Sequence, residues 1–302
     1  MSVSVSKHVG RLANRAKRQA IASVPPVRRM ARYRHDRRVR RYASRLPPLS
    51  AEDAAVVSRL RADAIHVTTL GELALPGTAE LCEGLERLAT ALASRPPLPG
   101  GTVRPSMDEL VADPRVWQFG LSERMLAIAE NYLGMPARYY GADVRREIAD
   151  GEAHDVRQWH RDIEDRSTLK ILVWLNDVDE DGGPFAYIPV DRSQEVVDRL
   201  HYVAGFVSDA RMRQVEPEQE WRTCPGPRWT AVMADNCRLV HRATPPRARD
   251  RYSVTFTWTS RHPVKTMPQA PMTDAQARRA SAGLTARQLA CLPPALQKQA
   301  RR

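Results

Sequence analysis

His160 and Asp162 stand two residues apart in Gln158-Trp159-His160-Arg161-Asp162. In an extended chain residues i and i+2 project to one face, so an imidazole and a carboxylate can be presented side by side. A second histidine, His241, follows 79 residues after Asp162 in Leu239-Val240-His241-Arg242. Two histidines and one carboxylate on one side of a metal ion leave the opposite positions open. That donor set suits a non-haem Fe(II) that must bind both a cosubstrate and O2. H-x-D alone also describes a solvated loop; the distant histidine is what gives it weight. Ten residues past His241 come Arg251 and Ser253, again two apart, at the head of a β-like run. A guanidinium fork beside a hydroxyl fits a terminal carboxylate. Arg249 competes for that role but lies in the turn ahead of the strand.

Other polar groups read more plainly. Asp177, Asp179, Glu180 and Asp181 beside Gly182-Gly183 are expected to be a solvated turn rather than a second metal site. His154 reads as a surface histidine. Tyr139 and Tyr140 straddle a strand, so one of them is expected to face the pocket. Gly100-Gly101 is a turn without a phosphate-binding pattern.

These side chains need strands to hold them. Residues 137–148, 168–175, 185–188, 202–206, 230–233, 239–241 and 252–259 read as short strands separated by turn signals, which predicts an antiparallel sandwich or jelly roll. Upstream the pattern is helical. Ser50-Ala-Glu-Asp53 is a helix start with an acid three residues past the cap. Leu81, Leu85, Leu88 and Leu92 form an apolar stripe, and residues 121–133 form a third helix stopped by Gly134. Residues 65–67 open a strand. Helices first and strands afterwards predict an α+β chain, with N-terminal helices backing a β core.

Charge divides the chain. Its 302 residues carry 47 Lys+Arg against 35 Asp+Glu, a net +12. Residues 1–47 hold 14 basic residues and one acid, Asp36; residues 262–302 hold seven and one; residues 48–261 hold 26 against 33, or −7. The expected organisation is a basic extension over 1–47, the body over 48–261 and a basic helical tail over 262–302. Within the extension, residues 5–22 are expected to be helical, with a break at Pro25-Pro26. The extension reads first as a structural arm on the acidic body or between copies, and otherwise as a contact with an anionic surface. Nucleic acid is not the expected partner, because Tyr33 and Tyr42 are the only aromatics there for stacking. Nothing in the sequence specifies an oligomeric state. No run of 18 apolar residues predicts a membrane span, and no apolar segment near the start predicts a secretory signal. Four cysteines without a C-x-x-C pair predict neither a zinc finger nor a disulfide framework, which suits a reducing, cytoplasmic setting.

Five motifs together carry a family likeness: Gln158-Trp-His-Arg-Asp162, Leu169-Lys-Ile-Leu-Val-Trp-Leu-Asn-Asp177, Asp181-Gly-Gly-Pro-Phe-Ala-Tyr-Ile-Pro189, Leu239-Val-His-Arg242 and Arg251-Tyr-Ser-Val-Thr-Phe256. Over roughly residues 55–261 the chain resembles the phytanoyl-CoA dioxygenase-like family of Fe(II)/2-oxoglutarate-dependent oxygenases. The resemblance implies a double-stranded β-helix core of jelly-roll, cupin-like form. It implies iron on His160, Asp162 and His241, Arg251 on the distal carboxylate of 2-oxoglutarate, and Trp174 against that cosubstrate. The chain departs from the family at Ala243, where a serine is frequent and for which Ser253 can substitute. It departs again at Val190-Asp191, where Gly-Ser-His is usual. The implied reaction uses O2 and converts 2-oxoglutarate to succinate while hydroxylating, or otherwise oxidising, an aliphatic C–H of a small-molecule or lipid-like metabolite. Halogenating relatives generally replace the carboxylate that stands here as Asp162, so hydroxylation, desaturation or cyclisation is expected instead. The rival reading is a non-catalytic metal-binding jelly roll that engages nucleic acid or another anionic partner through its basic N-terminus.

Overall fold

The computed structural model describes residues 24–97, 101–267 and 270–301. The helix expected over 5–22 and Gly100 of the expected turn lie outside them. Nine strands are found among the described residues: β1 (Ile65–Thr69), β2 (Thr102–Val103), β3 (Ala137–Glu147), β4 (Leu169–Trp174), β5 (Phe185–Tyr187), β6 (Arg222–Cys224), β7 (Thr230–Ala234), β8 (His241–Ala243) and β9 (Arg251–Ser260). They form a six-stranded sheet of order β1-β7-β4-β9-β3-β2 and a three-stranded sheet of order β6-β5-β8. Every pairing is antiparallel. A further antiparallel bridge, His160 to His241, adds the segment before β4 to the smaller sheet beside β8. From β3 to β9 the chain therefore crosses repeatedly between the two sheets, the winding of a double-stranded β-helix. The α+β class and the jelly-roll core are as the sequence predicts.

Period-two alternation sorts the larger sheet into two faces. Ile171, Val173, Val254, Phe256 and Trp258 join the helices in the main core, whereas Trp174, Val232 and Ala234 meet Phe185 in the space between the sheets. The backing helices form where expected. Ser50 caps Ala51–Asp63 by accepting from Asp53 N at 3.1 Å. Thr78–Ala93 buries Leu81, Leu85, Leu88 and Leu92. Glu123–Leu133 ends at Gly134, whose φ of +66° is the left-handed cap that glycine provides.

Part of the helix–sheet contact is made by rings. Tyr139 is buried against Trp117 and Trp258, with ring centroids at 5.4 and 5.2 Å. It is thus the member of the tyrosine pair that faces the helices. Gly120 closes this cluster: a Cβ there would stand 2.3 Å from the Tyr139 ring and 2.7 Å from Trp258. Two rigid rings cannot both retreat, so Gly120→Ala should destabilise the protein by about 1–3 kcal/mol, the usual cost of overpacking. An unchanged denaturant midpoint would refute this.

The structure corrects several local expectations. Residues 202–206 are a loop rather than a strand; the Tyr202 hydroxyl is drawn to Arg161 N at 3.1 Å and Gly205 O at 2.8 Å instead of standing free on a ladder. Val190–Arg199 is a helix, held down by Ser193, which donates to Ile188 O and accepts from Val240 N. This is the segment where the family pattern was broken. The strand expected over 239–241 begins only at His241. Strands β2 and β6, two and three residues long, were not expected; runs that short show no periodicity.

Pro25–Tyr42 is a helix within the basic extension. Its Val39 side chain covers Gly134, and its Tyr42 hydroxyl donates to Glu130 at 3.3 Å, while most of its arginines stay exposed. Short helices over Asp274–Ala280, Ala286–Ala290 and Pro294–Ala300 follow β9, and Ala277, Ala280, Leu292 and Leu296 join the main core. No described helix is long and apolar enough to cross a membrane.

Candidate metal centre

His160 and His241 face each other across a hydrogen-bonded backbone bridge: His160 N donates to His241 O at 2.9 Å and His241 N to His160 O at 2.8 Å. Directly opposed residues of an antiparallel pair send their side chains to the same face. The imidazoles accordingly lie with centroids 4.3 Å apart. Asp162, two residues on, returns to that face and is anchored by its N–H to Asn236 O at 2.9 Å. One ligand atom from each of the three residues can be chosen so that all lie within 4.8 Å of one another, and no other such cluster occurs among the described residues.

The tautomers suit a metal. His160 Nδ1 lies 2.8 Å from Gln158 O, and His241 Nδ1 lies 3.1 Å from Leu239 O. A carbonyl only accepts, so each Nδ1 carries the proton and each Nε2 keeps its lone pair for the cluster. Burial holds both imidazoles below their ordinary pKa, His241 down to about 3, so both are neutral at pH 7. Burial opposes ionisation of Asp162, but the Lys170 ammonium overrides it and holds the carboxyl well below its usual range. Asp162 Oδ1 lies 3.7 Å from His160 Nε2 and 4.0 Å from His241 Nε2. Two neutral imidazole nitrogens and one carboxylate oxygen thus converge, a donor set that fits Fe(II).

A pocket opens between the sheets, its lining including Trp174, Phe185, Ala243, Arg251, Ser253 and Thr255. It adjoins the cluster, because the Phe185 ring also stacks on His241 at 5.5 Å. Arg251 is 3% exposed, and its Nη1 donates to Thr244 O at 3.0 Å. Its Nε has no partner, and it forms no ion pair among the described residues. Burial lowers its pKa to about 10 and Glu147 works against that, so the guanidinium remains charged. A buried cation without a close counter-ion is a site that calls for an anion. Trp174 places its ring under Arg251, 5.8 Å from the guanidinium carbon, and donates Nε1–H to Cys224 O at 3.1 Å. Ser253 lies beside Trp174 in the β4–β9 register and is buried in the same wall.

The six residues singled out from sequence are therefore brought together around one inter-sheet space. The competitors fall away. Arg249 is exposed and pairs with Asp179. The acidic loop is a turn in which Asp179 accepts from Gly182 N at 2.7 Å and Asp177 from Arg228 N at 2.9 Å. His154, half-buried, lies in the loop before the segment that carries His160.

Several site residues had escaped the sequence reading. Lys170 Nζ lies 2.5 Å from Asp162 Oδ2. Its one sequence signal is that it is the sole lysine in residues 48–261. Asp235 is fully buried and accepts from Tyr132 Oη at 2.6 Å, Thr168 N at 3.1 Å and Cys237 N at 3.0 Å, which sets the turn leading to His241. Glu147 sits opposite Arg251 on β3, and Arg157, three residues before His160, donates to it. Thr255, Leu172 and Arg145 complete the pocket wall.

No protein-family model matches the chain, and no curated protein matches it significantly. Solved structures do. The chain is similar to AviO1 from Streptomyces viridochromogenes Tue57, at 20% identity and a TM-score of 0.49, over 74% of this chain and 100% of that one. It is similar to the apoform of EctD from S. alaskensis, at 17% identity and a TM-score of 0.49, over 74% and 82% of the two chains. It is also similar to the non-heme alpha ketoglutarate dependent epimerase SnoN from nogalamycin biosynthesis, at 19% identity and a TM-score of 0.47, over 70% and 85%.

Proposed function

We propose that the protein is an Fe(II)/2-oxoglutarate-dependent oxygenase, of the phytanoyl-CoA dioxygenase-like kind its motifs resemble. Its substrate would be a small-molecule or lipid-like metabolite oxidised at an aliphatic C–H. The observation that carries this reading is the convergence of His160 Nε2, His241 Nε2 and Asp162 Oδ1 beside a cavity whose wall holds the buried, unpaired guanidinium of Arg251. A metal triad alone would suit many chemistries; a triad next to a cationic pocket suits a keto-acid cosubstrate.

When bound, Fe(II) supplies the oxidative chemistry, in which 2-oxoglutarate, O2 and R–H become succinate, CO2 and R–OH. The chain's own contribution is placement. His160 and His241 donate Nε2 because backbone carbonyls hold their Nδ1–H groups. Arg251 receives the distal carboxylate of 2-oxoglutarate through Nε and its neighbouring N–H groups, with Ser253 as a hydroxyl donor and Trp174 as an apolar wall. The buried setting of Trp174, Phe185 and Ser253 keeps bulk water from the reacting groups.

Coupled turnover tests this. Purified protein given Fe(II), 2-oxoglutarate and O2 should form succinate, and His160→Ala or Asp162→Ala should abolish it by removing a ligand. Metal-dependent succinate formation undiminished in both variants would sink the reading. A screen for 2-oxoglutarate-dependent products 16 Da heavier than their precursors would then identify the substrate.

A further inference from the structure

The chain's basic residues are 42 arginines and five lysines, and only Lys170 among those lysines lies within residues 48–261. Lys170 shares its β4 face with Leu172 and Trp174, so it projects into the space between the sheets. There the two oxygens of Asp162 have different neighbours. Oδ1 faces the imidazoles, at 3.7 and 4.0 Å from their Nε2 atoms, and Oδ2 lies 2.5 Å from Lys170 Nζ. Resting on the metal-site reading above, we propose that Lys170 is a positioning residue that makes Asp162 a one-oxygen ligand, reserving a coordination position for the cosubstrates.

A carboxylate can bind a metal through one oxygen or two. Two-oxygen binding would take up one of the positions that a keto-acid and O2 require. The Lys170 ammonium prevents it by donating to Oδ2 and turning that oxygen away from the cluster. The side chains of Lys170 and Asp162 are 18% and 12% exposed, so the pair is only partly screened by solvent. A compact ammonium is suited to this role because it donates to one oxygen, whereas a guanidinium fork tends to grip both. The arrangement has a cost in metal affinity. With Lys170 the cluster of one carboxylate and two neutral imidazoles is charge-balanced, and a dication approaching it meets the ammonium's repulsion.

Opposite changes in two affinities follow from removing the charge. Lys170→Met keeps the unbranched stem, one atom shorter, without the charge, and should bind Co(II) about tenfold more tightly, a gain of about 1.4 kcal/mol. Its Co(II)-loaded form should bind 2-oxoglutarate about tenfold more weakly or worse, because Asp162 can now chelate. Lys170→Gln, which keeps an N–H donor without the charge, should share the tighter Co(II) binding and recover most of the 2-oxoglutarate affinity. Circular dichroism verifies that each variant is folded, and titration of the visible Co(II) absorption reads both equilibria without turnover. Unchanged or weaker Co(II) binding by folded Lys170→Met, or unaltered 2-oxoglutarate affinity, overturns the proposal. His160→Ala in the same titration tests the metal site separately: Co(II) binding equal to that of the native protein would overturn the site itself, whatever Lys170 does.

Discussion

Arg251→Met should weaken 2-oxoglutarate binding to the metal-loaded protein by about a hundredfold or more, while metal affinity stays within about twofold of the native value. Truncating one partner of a buried, hydrogen-bonded charge pair costs roughly 2–5 kcal/mol, and each 1.4 kcal/mol is a factor of ten. Arg251 meets the conditions for that range. It is 3% exposed, its Nε is without a partner, and Thr244 O is its one hydrogen-bond acceptor among the described residues. Nothing else among the described residues of the cavity wall duplicates it, since Arg145 is already engaged by Asp143 and Glu147. The proposed metal ligands lie on other segments, so their affinity for the ion should be nearly independent of this change. Arg251→Lys should fall between, because it keeps the charge but loses the fork. Arg251→Met should lower the unfolding midpoint less than Arg157→Met does, because Glu147 keeps its hydrogen-bonded partner Arg157 when Arg251 is removed. A calorimetric or spectroscopic titration settles the matter: native-like 2-oxoglutarate affinity in folded Arg251→Met would remove Arg251 from the site.

What was legible in the sequence follows from how far apart the cooperating residues lie. His160 with Asp162, and Arg251 with Ser253, are i, i+2 pairs, and strand geometry alone puts each pair on one face. The helix stripe at Leu81, Leu85, Leu88 and Leu92 was legible for the same reason, as a local period with a physical cause. The contacts missed are those made between segments that no period connects. Lys170 meets Asp162 because residues 163–168 turn the chain back on itself, and no pattern of residue types marks that closure. Asp235 reads as an ordinary turn acid until Tyr132, 103 residues earlier, is found donating to it. Glu147 and Arg157 look like solvated charges in a chain with 82 charged residues, yet they are 1% and 0% exposed. The loop over 202–206 was misread because Tyr202, Val203 and Phe206 suggest a strand by composition, whereas the Tyr202 hydroxyl satisfies backbone groups of neighbouring loops.

Arg157 should give the largest single loss of stability. Its side chain is wholly buried and is spent entirely on backbone and carboxylate acceptors. Nε donates to Glu147 at 3.2 Å, Nη2 to Gly101 O at 2.9 Å and Ile148 O at 3.1 Å, and Nη1 to Glu152 O at 3.1 Å and to Asp150. These bonds tie the segment leading into Trp159-His160 to the end of β3 and to the residue before β2. Arg157→Met fills similar space but leaves Glu147 buried with less compensation, and Gly101 O and Ile148 O each lose a donor. Breaking a buried pair in this way costs about 3–5 kcal/mol, a large part of the 5–15 kcal/mol that typically separates folded from unfolded chains. Arg157→Lys should recover only a minority of the loss, because one ammonium cannot serve acceptors spread around a planar fork. The double variant Arg157→Met/Glu147→Gln separates the causes. If the uncompensated charge dominates, removing it should return at least about 1 kcal/mol; if the lost carbonyl bonds dominate, the double variant should be no better than the single. Metal affinity should fall in Arg157→Met even though Arg157 touches none of the proposed ligands, because the segment presenting His160 loses its anchor. Urea unfolding and Co(II) titration measure the two effects, and a midpoint within experimental error of the native protein would show that the buried network around Glu147 does not hold the segment carrying His160 in place.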